Sequence, residues 1–155
     1  FEAAVQVLKD EVPDITIATD IICGYPTETE DDFNQTMELL ETHQFPVLNI
    51  SKFYPRTGTK AASLKLLPTK TVKERSKRLT DYFSTLNPNK AYEGYTVNTL
   101  ITDYSNKTNS FLGRTDNYRQ VIVWSDADLL GKQVSATVTE TTRDDLRGYC
   151  KSISY

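Results

Sequence analysis

The sequence predicts an α/β unit built on parallel strands, followed by a small all-β barrel. Three observations carry this prediction. A β-favouring run from Thr16 to Cys23 stops at Gly24-Tyr25-Pro26 and reopens as an acidic helix start. A second such run, Val47–Tyr54, follows that helix, which makes the order strand, helix, strand expected of a parallel sheet. Beyond Tyr92 the chain consists of short β-rich runs separated by turn residues, the pattern of a barrel or sandwich.

The elements follow in order. Phe1, Ala4, Val5 and Leu8 share one face of a helix at the start. Only Asp20 interrupts the Thr, Ile, Ala and Cys residues between Thr16 and Cys23, which predicts a strand buried on both faces. Gly24 permits a sharp turn and close approach of a ligand, and Pro26 cannot continue a ladder. Thr29 is the expected N-cap, with Glu30, Asp31 and Asp32 in the first turn, where the helix dipole favours negative charge. Phe33, Met37 and Leu40, with Leu39 beside them, give an apolar face that runs to about His43 and stops near Phe45-Pro46. His43 at the helix end is explained by the dipole without chemistry. In Val47–Tyr54, alternation puts Asn49, Ser51 and Phe53 on one side and Leu48, Ile50 and Lys52 on the other.

Ligands of parallel sheets sit at the carboxyl ends of the strands. Here those ends carry residues 24–28 and 55–59. Asn49 and Ser51 face the presumed interior, where they contact either a ligand or each other. Arg56, between Pro55 and Thr57-Gly58, is the best candidate for an anion contact on a constrained loop.

The net charge of −3 hides an asymmetry. Residues 1–51 hold one lysine against eleven acidic residues, residues 52–91 hold ten basic residues against two acidic, and residues 92–155 are nearly balanced. The basic segment is built on a helix: Thr71-Val72-Lys73-Glu74 has the form of a capping box, and Val72, Leu79, Phe83 and Leu86, with Tyr82 alongside, form its apolar stripe. Lys70, Lys73, Arg75, Lys77 and Arg78 fill the rest of the surface, as either an RNA phosphate contact or a solvated face.

In the last part, Thr96–Thr102, Phe111–Arg114, Tyr118–Trp124 and Gln133–Thr141 are the expected strands. Arg114 and Arg119, near Tyr118 and Phe111, are candidates for phosphate pairing and base stacking, Phe111 being the one expected in the core. The boundary between the two parts falls near 87–92, giving domains 1–91 and 92–155. Cys23 and Cys150 are too far apart for a ligand motif, and Cys23 in its apolar run is expected to be a buried structural thiol. Two cysteines give no disulfide framework, which suits a reducing cytosol, and no apolar run is long enough to span a membrane.

DIICGYPTETEDDF, followed by FPVLNISKFYPRTGTKAA, resembles the second half of the radical S-adenosylmethionine barrel of tRNA methylthiotransferases, particularly the eukaryotic and archaeal threonylcarbamoyladenosine branch. Thr27 stands where that pattern usually has glycine, Tyr25 where it has phenylalanine, and Thr57 where it has proline. FLGRTDNYRQVIV followed by LLGKQVSATVTETTRDDLRGY is similar to the TRAM domain, a small RNA-binding β-barrel. The resemblance implies a partial TIM-like barrel followed by a TRAM barrel. It implies S-adenosylmethionine contacts from Ile22, Gly24, Glu28, Asn49, Ser51 and Arg56, although for Glu28 a helix cap is the simpler role. It implies tRNA contacts from Lys73, Arg75, Lys77, Arg78, Arg114 and Arg119. The family uses two 4Fe-4S clusters, whose cysteines this sequence lacks, so the resemblance implies a carboxyl-terminal piece, partnered by tRNA and by the amino-terminal part of the same protein. On its own the piece is expected to be inactive, whether as an RNA-binding module or as a truncation product.

Overall fold

β1 (Ala18–Cys23) and β2 (Val47–Lys52) pair in parallel, Asp20 opposite Asn49 and Ile22 opposite Ser51, with α2 (Glu30–His43) as the crossover. This computed structural model describes residues 1–154. It adds α1 (Glu2–Glu11), α3 (Thr69–Thr85), and the strands β3 (Thr96–Ser105), β4 (Ser110–Arg114), β5 (Gln120–Trp124), β6 (Gln133–Thr141) and β7 (Asp145–Ser154). Two compact units result: residues 17–86, and residues 1–16 together with the chain from Asn87 onward.

In the first unit the two-stranded sheet is covered on one side only. Leu48 and Cys23 are buried, as are Phe33, Leu40 and Phe45 of α2 and its exit and Leu79 and Phe83 of α3. The opposite side, with Ala18, Asp20, Ile22, Asn49 and Ser51, is exposed, so the expectation of a strand buried on both faces is corrected: among the described residues nothing covers that side. The alternation read in β2 holds for Leu48 and Ile50, turned inward relative to Asn49 and Ser51, but not beyond: Lys52 is exposed, and Phe53, half-buried, lies past the end of the strand.

α2 begins as expected at Thr29 and has a complete capping box: the Thr29 hydroxyl accepts from the Asp32 N–H at 3.1 Å, and Asp32 accepts from the Thr29 N–H at 2.8 Å. It ends where Gln44 turns to φ 46°. The N-cap of α3 is Pro68, three residues before the expected cap Thr71, and no side-chain hydrogen bond caps it. Pro68, with φ −54°, already feeds the helix and accepts the first bond from Val72 N–H, which places Thr71 inside the first turn.

The second unit contains a closed five-stranded barrel in the order β3-β4-β5-β7-β6, with β6 returning to β3. All pairs are antiparallel except β5 with β7. Its core is Ile101, Phe111, Val121, Val123, Leu129, Val134, Ala136, Val138 and Leu146. Phe111 lies in this core as expected. Tyr118 does not belong to β5; it sits at φ 66° in the preceding turn. β7 had no counterpart among the predicted strands, because Arg-Gly-Tyr-Cys-Lys-Ser offers only weak β preference.

Candidate functional site

The loop after β1 is fixed from α3. Gly24 has φ 83°, and a β-carbon there would come within 2.7 Å of a Val72 methyl group. The glycine is therefore required by helix packing and by its left-handed backbone, independently of any ligand. Its N–H donates to Glu28 Oε2 at 3.1 Å, and the Cys23 thiol lies 3.7 Å from the Val72 carbonyl. Burial, reinforced by the nearby Glu28 charge, pushes the Cys23 thiol up to about 11.

Arg75 closes this network. It is 6% exposed, and its Nη1 donates to Glu28 Oε2 at 2.6 Å and to the Glu28 carbonyl at 3.0 Å, while Nη2 donates to Glu30 at 3.0 Å. Arg78 donates to the other Glu30 oxygen at 2.9 Å, and both guanidinium groups lie over the Phe33 ring. Burial acts against the Arg75 charge, but the Glu28 and Glu30 hydrogen bonds outweigh it and raise its pKa. Hydrogen bonds from Arg75 and then Arg78 hold Glu30 below the usual carboxylate range.

Two expectations are corrected here. Arg75 does not belong to the surface cations, since its charge is neutralised within the fold, and Glu28 neither caps α2 nor faces solvent. The spacing 72, 75, 79, 83 already put Arg75 on the apolar stripe of α3, and the acidic excess before residue 52 supplied its partners.

On the open side of the sheet, Asn49 Nδ2 donates to Asp20 Oδ1 at 2.8 Å, so Asn49 pairs with Asp20 and not with Ser51. Ile22 is 57% exposed beside them. Asp20, Ile22, Asn49 and Ser51 thus share one polar-apolar surface, of which Asp20 was not anticipated; a lone carboxylate in an apolar run was its signal. Arg56 is exposed on its loop, where Thr59 turns back to the Arg56 carbonyl.

On α3, Lys73, Lys77 and Arg78 are exposed. Lys77 pairs with Asp81 and Arg78 with Glu30, which leaves Lys73 as the cation of this trio without an ion pair among the described residues.

In the barrel unit, Arg114 Nη1 donates to the Tyr118 carbonyl at 3.3 Å, and its guanidinium lies 4.8 Å from the Tyr118 ring, which is 72% exposed. Arg119 is used differently: it donates to the Tyr92 hydroxyl at 3.0 Å and to Asn89 Oδ1 at 2.6 Å. Asn89, buried, also donates to the carbonyls of Thr142 and Arg143. Arg119 is thus held by Tyr92 and Asn89, whereas Arg114, likewise half-buried, is held through the Tyr118 carbonyl and ring.

Residues 90–150 match the TRAM domain. A threonylcarbamoyladenosine tRNA methylthiotransferase of Drosophila melanogaster is 43% identical over 150 residues, 96% of this chain and 27% of the relative. Over nearly its whole length the chain is similar to the C-terminal part of tRNA methylthiotransferases. A protein of the same description from Homo sapiens is 38% identical over 148 residues, 96% of this chain and 26% of the relative. A tRNA-2-methylthio-N(6)-dimethylallyladenosine synthase of Aquifex aeolicus is 34% identical over 147 residues, 93% of this chain and 33% of the relative. The chain thus spans about a quarter to a third of the curated relatives it matches, and the matched part is their C-terminal end. Among the described residues no helix is long and apolar enough to cross a membrane.

Proposed function

We propose that this chain is the C-terminal part of a radical S-adenosylmethionine enzyme that adds a methylthio group to threonylcarbamoyladenosine in the tRNA anticodon loop. The observation that carries the reading is identity of 38–43% along nearly the whole chain with relatives of that description, collinear through both units. In this reading, residues 17–86 are the closing segment of a TIM-like barrel, whose missing strands cover the open side of β1 and β2.

That side has the chemistry for an adenosyl group: Ile22 offers an apolar contact, and Asp20, Asn49 and Ser51 offer acceptors and donors. Gly24 and Glu28 support the loop behind them, and Arg56 is the candidate for the cofactor carboxylate or the tRNA backbone. When bound, S-adenosylmethionine supplies the adenosyl and methyl groups of the family's chemistry. The two 4Fe-4S clusters have no fit here. Cys23 is buried against α3 and Cys150 lies in β7, and no group of three or more His, Cys, Asp or Glu among the described residues is arranged to hold a metal. No chemical step is therefore assigned to this chain, whose own work is to bind RNA and complete the pocket.

For tRNA, Lys73, Lys77 and Arg78 supply charge from α3, and Arg114 supplies it from the barrel. Lys73 and Arg114 matter most, because neither is paired with a carboxylate among the described residues. Binding of an anticodon stem-loop to the chain, followed by fluorescence anisotropy, is expected to weaken steeply with salt. Lys73→Ala with Arg114→Ala is expected to weaken it by roughly tenfold and to lower the salt slope by about 2. A folded sample with no salt-sensitive binding overturns the RNA reading for this chain.

A further inference from the structure

Trp124, the single tryptophan of the chain, stands on the outside of the barrel. Alternation along β5 turns Val121 and Val123 into the core and Gln120, Ile122 and Trp124 outward. Along β7, Leu146 and Gly148 face inward and Arg147 and Tyr149 outward. The two strands pair in parallel with Trp124 opposite Tyr149, and their rings lie 6.0 Å apart at 44°. Tyr149 is 59% exposed, so the pair is not there to fill the core.

The same face continues along β5. Its next row is Leu112, Ile122 and Arg147, and then comes Arg114, Gln120 and Asp145. Arg114 with the Tyr118 ring thus stands about 13 Å from Trp124 along the strand. Arg147 is neutralised by Asp145 at 2.7 Å and Glu140 at 3.6 Å. A face with two aromatic stations and, among the described residues, one arginine outside any ion pair is poorly suited to tracking a phosphate backbone by charge, but it suits flat, unpaired bases with one phosphate anchored at its end.

We propose that Trp124 and Tyr149 form a stacking platform for unpaired bases of the RNA that Arg114 anchors. The proposal rests on the RNA-binding reading above and adds to it the single-stranded character of what the barrel grips.

Because Trp124 is the sole indole, its emission reports the platform directly. The intact chain is titrated with an anticodon stem-loop and, separately, with a fully paired duplex of similar length. The stem-loop is expected to quench Trp124, and the duplex to bind without quenching. Tyr149→Ala, at an exposed position, is expected to weaken stem-loop binding by roughly tenfold and to leave duplex binding unchanged. Salt-sensitive stem-loop binding with unchanged emission and unchanged Tyr149→Ala affinity overturns the platform and leaves the RNA reading standing. Absence of any RNA binding overturns both. Emission that changes with protein concentration alone, without RNA, assigns the face to a second copy of the chain and also overturns the proposal.

Discussion

Val72 of α3 occupies the space that a side chain at Gly24 would need: a β-carbon built on Gly24 comes within 2.7 Å and 2.8 Å of its two methyl groups. The turn that ends β1 and the first turns of α3 are therefore one packed unit. Gly24→Ala combines this clash with a left-handed backbone of φ 83°. A loss of about 3 kcal/mol is expected in urea unfolding. Val72→Ala in the same chain is expected to recover the clash but not the backbone strain, which leaves a deficit of about 1 kcal/mol.

Arg75→Met leaves the Glu28 carboxylate buried without its cation. The expected cost is about 3–5 kcal/mol, read by thermal or urea unfolding. Adding Glu28→Gln is expected to restore a large part, because the uncompensated charge is then gone; equal stability of single and double variants contradicts this account.

Acid weakens the protein through carboxylates whose native pKa is depressed. Glu30 is held low by Arg75 and Arg78, Asp32 by the Thr29 N–H and hydroxyl, and Glu93 by Lys90 and Thr141. The stability they contribute is present above the ordinary carboxylate range near pH 4 and lost as pH falls through their lower native values. Thermal midpoints are expected to be flat around neutrality and to drop below about pH 4, with Glu30→Gln flattening that drop. Cys23 has the opposite sign. Its thiol is raised to about 11, so stability is intact below the ordinary thiol value and is lost as pH rises toward 11. Iodoacetamide at pH 8 is expected to modify Cys150, half-buried in β7, before the buried Cys23.

Asn89→Ala removes a side chain that holds the Thr142 and Arg143 carbonyls and the Arg119 guanidinium at once. The expected loss is about 2–3 kcal/mol in barrel unfolding, followed by Trp124 emission. Asn106→Ala, exposed in the β3–β4 turn, is the control and is expected to change stability little.

Gly148→Ala would put a β-carbon 1.9 Å from the Thr137 carbonyl oxygen, which is backbone and cannot rotate away. The β6–β7 pairing is expected to fail, with loss of near-ultraviolet circular dichroism, whereas alanine at exposed Gly131 is expected to cost only its positive φ.

Much of this was legible from residue patterns. The crossover from β1 through α2 to β2, the Thr29 cap and the alternation of Asn49 and Ser51 against Leu48 and Ile50 all follow from local periodicity and capping chemistry. The barrel strands through Gln133–Thr141 were legible because they are short β-rich runs bounded by turn residues. β7 was not, since its residues are strand-forming only by virtue of the two neighbours they pair with. At the site, a count of positive charge could not separate Arg75 from Lys73. The distinction lies in which side of α3 each occupies and in whether a carboxylate reaches it from 47 residues away, as Glu28 does for Arg75. Arg119 differs from Arg114 through neutral partners distant in sequence, the Tyr92 hydroxyl and the Asn89 amide oxygen.

The parallel pairing of β5 with β7 also has a consequence during synthesis. While a nascent chain is still emerging from the ribosome, β3 to β6 are available, but β5 and β6 each keep an unsatisfied edge. Those edges are joined only when Asp145–Ser154 clears the exit tunnel and inserts between them. A stop codon ahead of residue 145 would therefore release a sheet with two sticky borders, a ready substrate for chaperones and for self-association.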